Sequence, residues 1–162
     1  MRVGLGYDSH RFDPQRRLVL GGVVIPGHPG LSGHSDADAV SHAVTDAILG
    51  AAGLGDIGAL YPPTDHQWKD ADSIELLRGA VSRLQAGGFD ILNVDVTVVT
   101  ESPEIGPLVP AMCEQLADAL AVDLHAVSIK GKSNEGLGWI GAGEGLAVHA
   151  VALVRQVSDP GS

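Results

Sequence analysis

Ile91-Leu92-Asn93-Val94-Asp95-Val96-Thr97-Val98-Val99-Thr100 alternates apolar and polar side chains. Leu92, Val94, Val96 and Val98 fall on one face, and Asn93, Asp95 and Thr97 on the other. A period of two marks a half-buried strand, whose apolar side needs a second layer. The flanking segments offer that layer as helices. Asp72 to Ala86 places Ile74, Leu77, Val81 and Leu84 on one side and is stopped by Gly87-Gly88. Asp72 and Glu75 resemble a capping box at its start. Pro103 to Leu120 reads as a further helix, with Pro107 and Pro110 confined to its first turns.

The remaining segments fit the same plan. Arg2 to Tyr7 reads as a strand, and Leu18 to Ile25 as a short hairpin broken by Gly21-Gly22. His28 to Gly33 reads as a loop, after which Ser35 or Asp36 caps a helix running to about Ala52, with Gly53 as terminator. Its apolar stripe is Val40, Ala43, Val44, Ala47, Ile48 and Ala51. Asp38, His42, Thr45 and Asp46 are expected on the opposite, polar face. Asp56 to Asp65 reads as a proline-held loop, Ala126 to Lys130 and Leu146 to Val157 as two more strands, and Ser158 to Ser162 as a frayed tail. The expected fold is α/β (α+β): a two-layer sandwich with a mixed four-stranded sheet, helices on one face and a short hairpin, in one domain over residues 1–157.

The net charge of −10 argues against nucleic acid or an anionic membrane as the main partner. A phosphate substrate remains open, because a metal ion can supply local positive charge. Cys113 is the one cysteine, so no intrachain disulfide forms and a reducing cytoplasm is expected. The chain opens directly into a strand pattern without a leader, and no apolar run is long enough to span a bilayer.

Three groups carry candidate chemistry. In a strand, Asp8 and His10 project to the same face, and His42 can join them from the helix. Two histidines and a carboxylate with a vacant fourth position are the ligand set of a catalytic zinc site; the plain alternative is a strand-end polar cluster. His34-Ser35-Asp36-Ala37-Asp38 lies at a helix start, where free N–H groups and the dipole favour a phosphate. In a glycine-bounded loop, Lys132 and Ser133 could hold phosphate oxygens, and Glu135 could hold a hard cation that bridges them. That loop lacks the glycine spacing of a P-loop.

Seven runs occur in one order: Gly6–Phe12, His34–Asp38, His42–Ala47, Gly55–Gly58, Tyr61–Asp65, Asn93–Asp95 and Gly141–Gly145. Together they resemble the 2-C-methyl-D-erythritol 2,4-cyclodiphosphate synthase family from Arg2 to about Val154. The resemblance implies cyclisation of a cytidine diphosphate-linked methylerythritol 2-phosphate with loss of CMP, in the non-mevalonate isoprenoid route. It implies zinc on Asp8, His10 and His42, and magnesium or manganese on Glu135 through the substrate diphosphate. His34 would stabilise the transition state, and Ser133, standing where the family commonly has threonine, would be the second catalytic residue. Substrate contacts would come from Ser9, Ser35, Asp56, Ile57, Gly58, Tyr61, Pro62, Pro63, Thr64, Asp65, Lys132, Asn134 and Trp139. Cytosine would sit against Thr100, Glu101, Ser102, Pro103, Glu104, Ile105 and Gly106. The family's assembly implies a homotrimer with sheets facing inward and active sites shared between subunits. A zinc-dependent phosphohydrolase acting on a nucleotide diphosphate is the competing reading of the same residues.

Overall fold

Strand β5 (Phe89–Val99) lies inside the main sheet, flanked on both edges by other strands. A computed structural model of the chain describes residues 1–157; the expected tail at Ser158 to Ser162 falls outside them. Strands β1 (Arg2–Asp13), β6 (Val127–Lys132) and β7 (Gly145–Gln156) complete the four long strands. They run in the order β1-β7-β5-β6, and only the β5–β6 pair is parallel. A two-residue strand β4 (Gly30–Leu31) pairs with Phe12 and Asp13 and makes a fifth, inside what the sequence showed as a loop. Strands β2 (Leu18–Leu20) and β3 (Val23–Ile25) form the expected hairpin.

Val94, Val96 and Val98 are buried, as their alternation requires. Leu92 departs from it. A bulge between Ile91 and Asn93 adds one residue and shifts the phase, so Ile91 rather than Leu92 packs on the core. Helices α1 (Ala39–Ala52), α3 (Ser73–Ala86) and α4 (Val109–Leu120) cover the buried face. Between α1 and α3, the expected plain loop contains a single helical turn, α2 (Ile57–Leu60), and a 3-10 turn at His66–Trp68. Among the described residues, no helix is long and apolar enough to cross a membrane.

Two helix starts and one capping contact differ from the sequence reading. Asp38, not Ser35 or Asp36, caps α1, and it is fully buried. Its carboxylate accepts the N–H groups of Gly21 and Gly22 at 2.8 and 2.7 Å, which ties the hairpin turn to the helix. Glu75 does not close a capping box but meets Arg78, which reaches Asp118 on α4. The third long helix begins at Val109, after a 3-10 turn at Gly106–Leu108, rather than at Pro103. Residues 100–105 curl instead around Thr100, whose hydroxyl bonds the Ser102 backbone, and they carry Ile105 into the core beneath Gly131.

The polar face expected on α1 is only one residue wide. Thr45 and Ser41 are buried along with the whole apolar stripe, because the sheet and α3 enclose the helix. Thr45 turns its hydroxyl onto the Ser41 carbonyl at 2.8 Å. His42, Asp46 and Gly50, spaced by four, are the positions of α1 that are not buried.

Candidate metal centre

Strand parity places Gly4, Gly6, Asp8 and His10 on the helix-facing side of β1. The two glycines let α1 lie directly on the strand. A Cβ on Gly6 would stand 1.8 Å from the Ala43 carbonyl oxygen, and one on Gly4 would stand 1.9 Å from that of Ala47. This close approach brings His42, next to Ala43, over the two ligand candidates of β1. One ligand atom from each of Asp8, His10 and His42 lies within 4.8 Å of the others. All three are half-buried.

The donor set suits a cation. His10 Nδ1 lies 2.6 Å from the Ser32 carbonyl, which can only accept, so Nδ1 carries the proton and Nε2 of the neutral ring is bare. Nε2 stands buried 2.8 Å from Asp8 Oδ2, to which it can donate only when the ring is charged; in the neutral ring it has no proton to give. His42 Nδ1 faces the same oxygen from 3.2 Å. Lone pairs converging on one carboxylate oxygen repel unless a proton or a metal ion stands among them. Burial works to raise the Asp8 pKa, but hydrogen bonds and charge from His10 and His42 prevail and hold it far below the usual carboxylate range. Burial likewise opposes a charge on His10, and Asp8 overrides it to raise the His10 pKa.

A cavity of about 220 Å³ opens from this cluster. His34, Ser35, Ile57, Gly58, Tyr61 and Pro63 line it, together with Trp68 and Leu76, which no sequence pattern marked. Asp56 and Asp65 do not line it; they cap α2 and the following 3-10 turn, and Pro62 and Thr64 are exposed. His34 Nε2 is buried without a partner. Arg16 holds the loop that carries His34 by donating to the carbonyls of Gly33 and Ser35. The helix start itself offers phosphate less than expected. The N–H groups of Ala37, Asp38, Val40 and Ser41 are taken by Ser35, Asp36 and Asp38 side chains.

Asp46 lies one turn beyond His42 on α1. Its carboxylate accepts the Ile57 N–H at 2.8 Å, and burial raises its pKa. The partner of His42 Nε2 is Ser73 Oγ at 2.9 Å, with Ser35 Oγ at 3.1 Å. Ser73 stands 31 residues further on and meets His42 only once α3 packs on α1.

The other expected contacts form separate cavities. Thr100, Glu101, Pro103, Glu104, Ile105, Gly106, Lys132 and Ser133 line one of about 400 Å³. Ser102 is exposed beside it. Glu101 fixes the next loop by accepting from Asn134 and Gly136 N–H. Glu135 sits there at φ 52°, its carboxylate accepting from the Ser133 hydroxyl at 2.9 Å. Trp139 and Ser9 line a third cavity with His10. In register, Ser9 pairs with Ala147, Ala147 with Val99, and Val99 with Lys132. Lys132 is therefore three strand spacings, roughly 14 Å, from the metal-ligand strand.

Residues 1–155 match the YgbB family. Over 157 residues the chain is 55% identical to the 2-C-methyl-D-erythritol 2,4-cyclodiphosphate synthase of Gemmatimonas aurantiaca, covering 97% of this chain and 95% of that one. The chain belongs to the YgbB family of 2-C-methyl-D-erythritol 2,4-cyclodiphosphate synthases. The YgbB fold is also that of an IspF from Plasmodium falciparum solved as a CDP complex, at a TM-score of 0.84, 34% identity and 97% coverage of each chain. A bifunctional IspDF from Campylobacter jejuni superposes at a TM-score of 0.93 with 42% identity; 97% of this YgbB chain matches 42% of that longer protein.

Proposed function

We propose that this chain cyclises 4-diphosphocytidyl-2-C-methyl-D-erythritol 2-phosphate to 2-C-methyl-D-erythritol 2,4-cyclodiphosphate, as a phosphorus–oxygen lyase of the non-mevalonate isoprenoid route in the cytoplasm. One observation carries the reading: the bare Nε2 of His10, Nδ1 of His42 and the Asp8 carboxylate converge at the mouth of a largely apolar cavity. These residues would hold zinc, which when bound polarises a diphosphate oxygen. An oxygen of the 2-phosphate forms a bond to the β-phosphorus, and the bond from that phosphorus to the bridging oxygen breaks. CMP leaves with the electron pair. His34 brings an unpartnered imidazole nitrogen suited to donate to a phosphoryl oxygen. Ile57, Pro63, Trp68 and Leu76 form walls that limit water, which favours attack by the tethered phosphate over hydrolysis.

Lys132, Ser133 and Glu135 would hold the nucleotide phosphates, Glu135 through magnesium or manganese, with cytosine seated at Thr100 to Gly106. Both groups must bear on one diphosphate, yet within one chain the strand carrying Lys132 lies roughly 14 Å from the strand carrying Asp8 and His10. A homotrimer that sets the second group of one subunit beside the metal centre of the next resolves this, with the exposed apolar side of β1 and β7 as the contact. The test is product analysis by phosphorus NMR. The cyclic diphosphate and CMP should form in equal amounts, and the yield should fall by several orders of magnitude in Asp8→Ala. Inorganic phosphate as the main product would favour a phosphohydrolase instead.

A further inference from the structure

We infer that Ser73 is a positioning residue that sets the tautomer of His42, and that Asp36 dictates the direction of its hydrogen bond. Ser73 is fully enclosed at the start of α3. Its hydroxyl donates to Asp36 Oδ1, and its backbone N–H donates to Asp36 Oδ2 at 3.1 Å. A carboxylate only accepts, so the single Ser73 hydroxyl proton is committed to Asp36. Toward His42 Nε2, 2.9 Å away, Ser73 Oγ then has only a lone pair to offer. His42 Nε2 must carry the imidazole proton, and Nδ1 is left bare toward Asp8. His10 reaches the same state by a different device, its Nδ1 proton held by the Ser32 carbonyl. Both rings thus turn an unprotonated nitrogen to one point. Outer partners of this kind orient metal-binding histidines and raise ligand basicity. Ser35 Oγ, 3.1 Å from His42 Nε2 and 3.2 Å from Ser73 Oγ, can back up the acceptor but has no carboxylate fixing its proton.

The inference rests on the metal reading of Asp8, His10 and His42, and its test has one readout that needs no metal. In the metal-free protein at alkaline pH, long-range proton–nitrogen spectra of the histidine rings should show His42 as the Nε2–H tautomer. Ser73→Ala should mix the two tautomers. Asp36→Asn, whose amide can donate to Ser73 Oγ and turn its proton toward His42, should shift the population to Nδ1–H. Zinc affinity, measured by competition with a chelator, should fall about 10- to 100-fold in both variants, while Ser73→Thr, which keeps the hydroxyl, recovers part of the loss. An unchanged tautomer population in Ser73→Ala and Asp36→Asn, or wild-type zinc affinity in both, overturns the role given to Ser73. Failure of the metal reading has a different signature: Asp8→Ala would then bind zinc as tightly as the parent.

Discussion

At Asp8 and His10, a proton and the proposed metal ion would compete for the same atoms, and the competition has a definite sign. The folded pKa of His10 is raised, so its contribution to stability is complete below about pH 6.5 and is lost as pH rises through the folded value. The folded pKa of Asp8 is lowered, so its contribution is present above about pH 4 and is lost only as pH falls through that low value. Without metal, the pair contributes most between roughly pH 4 and 6.5. Zinc needs the neutral ring and gains affinity as pH rises. Differential scanning calorimetry with a chelator should therefore show a falling Tm from about pH 6 to 8, which excess zinc abolishes and His10→Gln flattens. A chelated wild type that tracks His10→Gln at every pH contradicts this. Glu135 presents a different conflict. A non-glycine residue at φ 52° is strained by about 1–2 kcal/mol, and glycine gives back part of that through its own entropy. Glu135→Gly should stabilise the fold by about 0.5–1 kcal/mol in urea titrations and abolish magnesium-dependent turnover. A loss of stability would show that the Ser133–Glu135 contact outweighs the strain.

The pairing of β1 with α1 brings the candidate metal ligands together, and two small residues make the pairing. Gly6→Ala would drive a Cβ into the Ala43 carbonyl, beside His42; Gly4→Ala would do the same at Ala47, one turn away. Each should cost about 3 kcal/mol or more in chemical denaturation, as overpacking against backbone does. Zinc affinity should fall further in Gly6→Ala, because only that clash displaces the helix turn bearing His42. Equal losses of affinity would mean that α1 moves as a rigid rod. Much of this arrangement was legible in the sequence. The i, i+2 spacing of Asp8 and His10 gave their shared face, and the apolar stripe of α1 left His42 outside the core. What stayed hidden depended on packing between distant segments. Thr45 and Asp38 read as solvent-facing because the enclosure of α1 by α3 and the hairpin leaves no local pattern. The bulge at Leu92 broke a clean alternation, and Ser73 and the Ser32 carbonyl carry no spacing signature at all.

The molecule leaves one side of its sheet uncovered. Val3, Leu5 and Tyr7 of β1 are 68%, 67% and 50% exposed, and Val151, the register partner of Leu5, is 42% exposed. A contiguous apolar patch of this kind calls for a protein partner, and the proposed one is a second copy of the chain, since the strand of Lys132 and that of the candidate metal ligands lie roughly 14 Å apart. Leu5→Glu should give a folded monomer by analytical ultracentrifugation that still binds zinc, since all three ligands come from one chain, but that no longer releases CMP. The proposed sharing between subunits has a sharper consequence. His42→Ala lacks the metal half of the site, and Glu135→Gln lacks the other half. Alone, each should be inactive. Co-expressed at equal levels, random assembly joins the intact metal half of one subunit to the intact Glu135 of its neighbour at roughly one site in four, so about a quarter of wild-type turnover should return. If both halves belonged to the same chain, every site in every mixed assembly would carry a lesion, and no activity would reappear at any ratio.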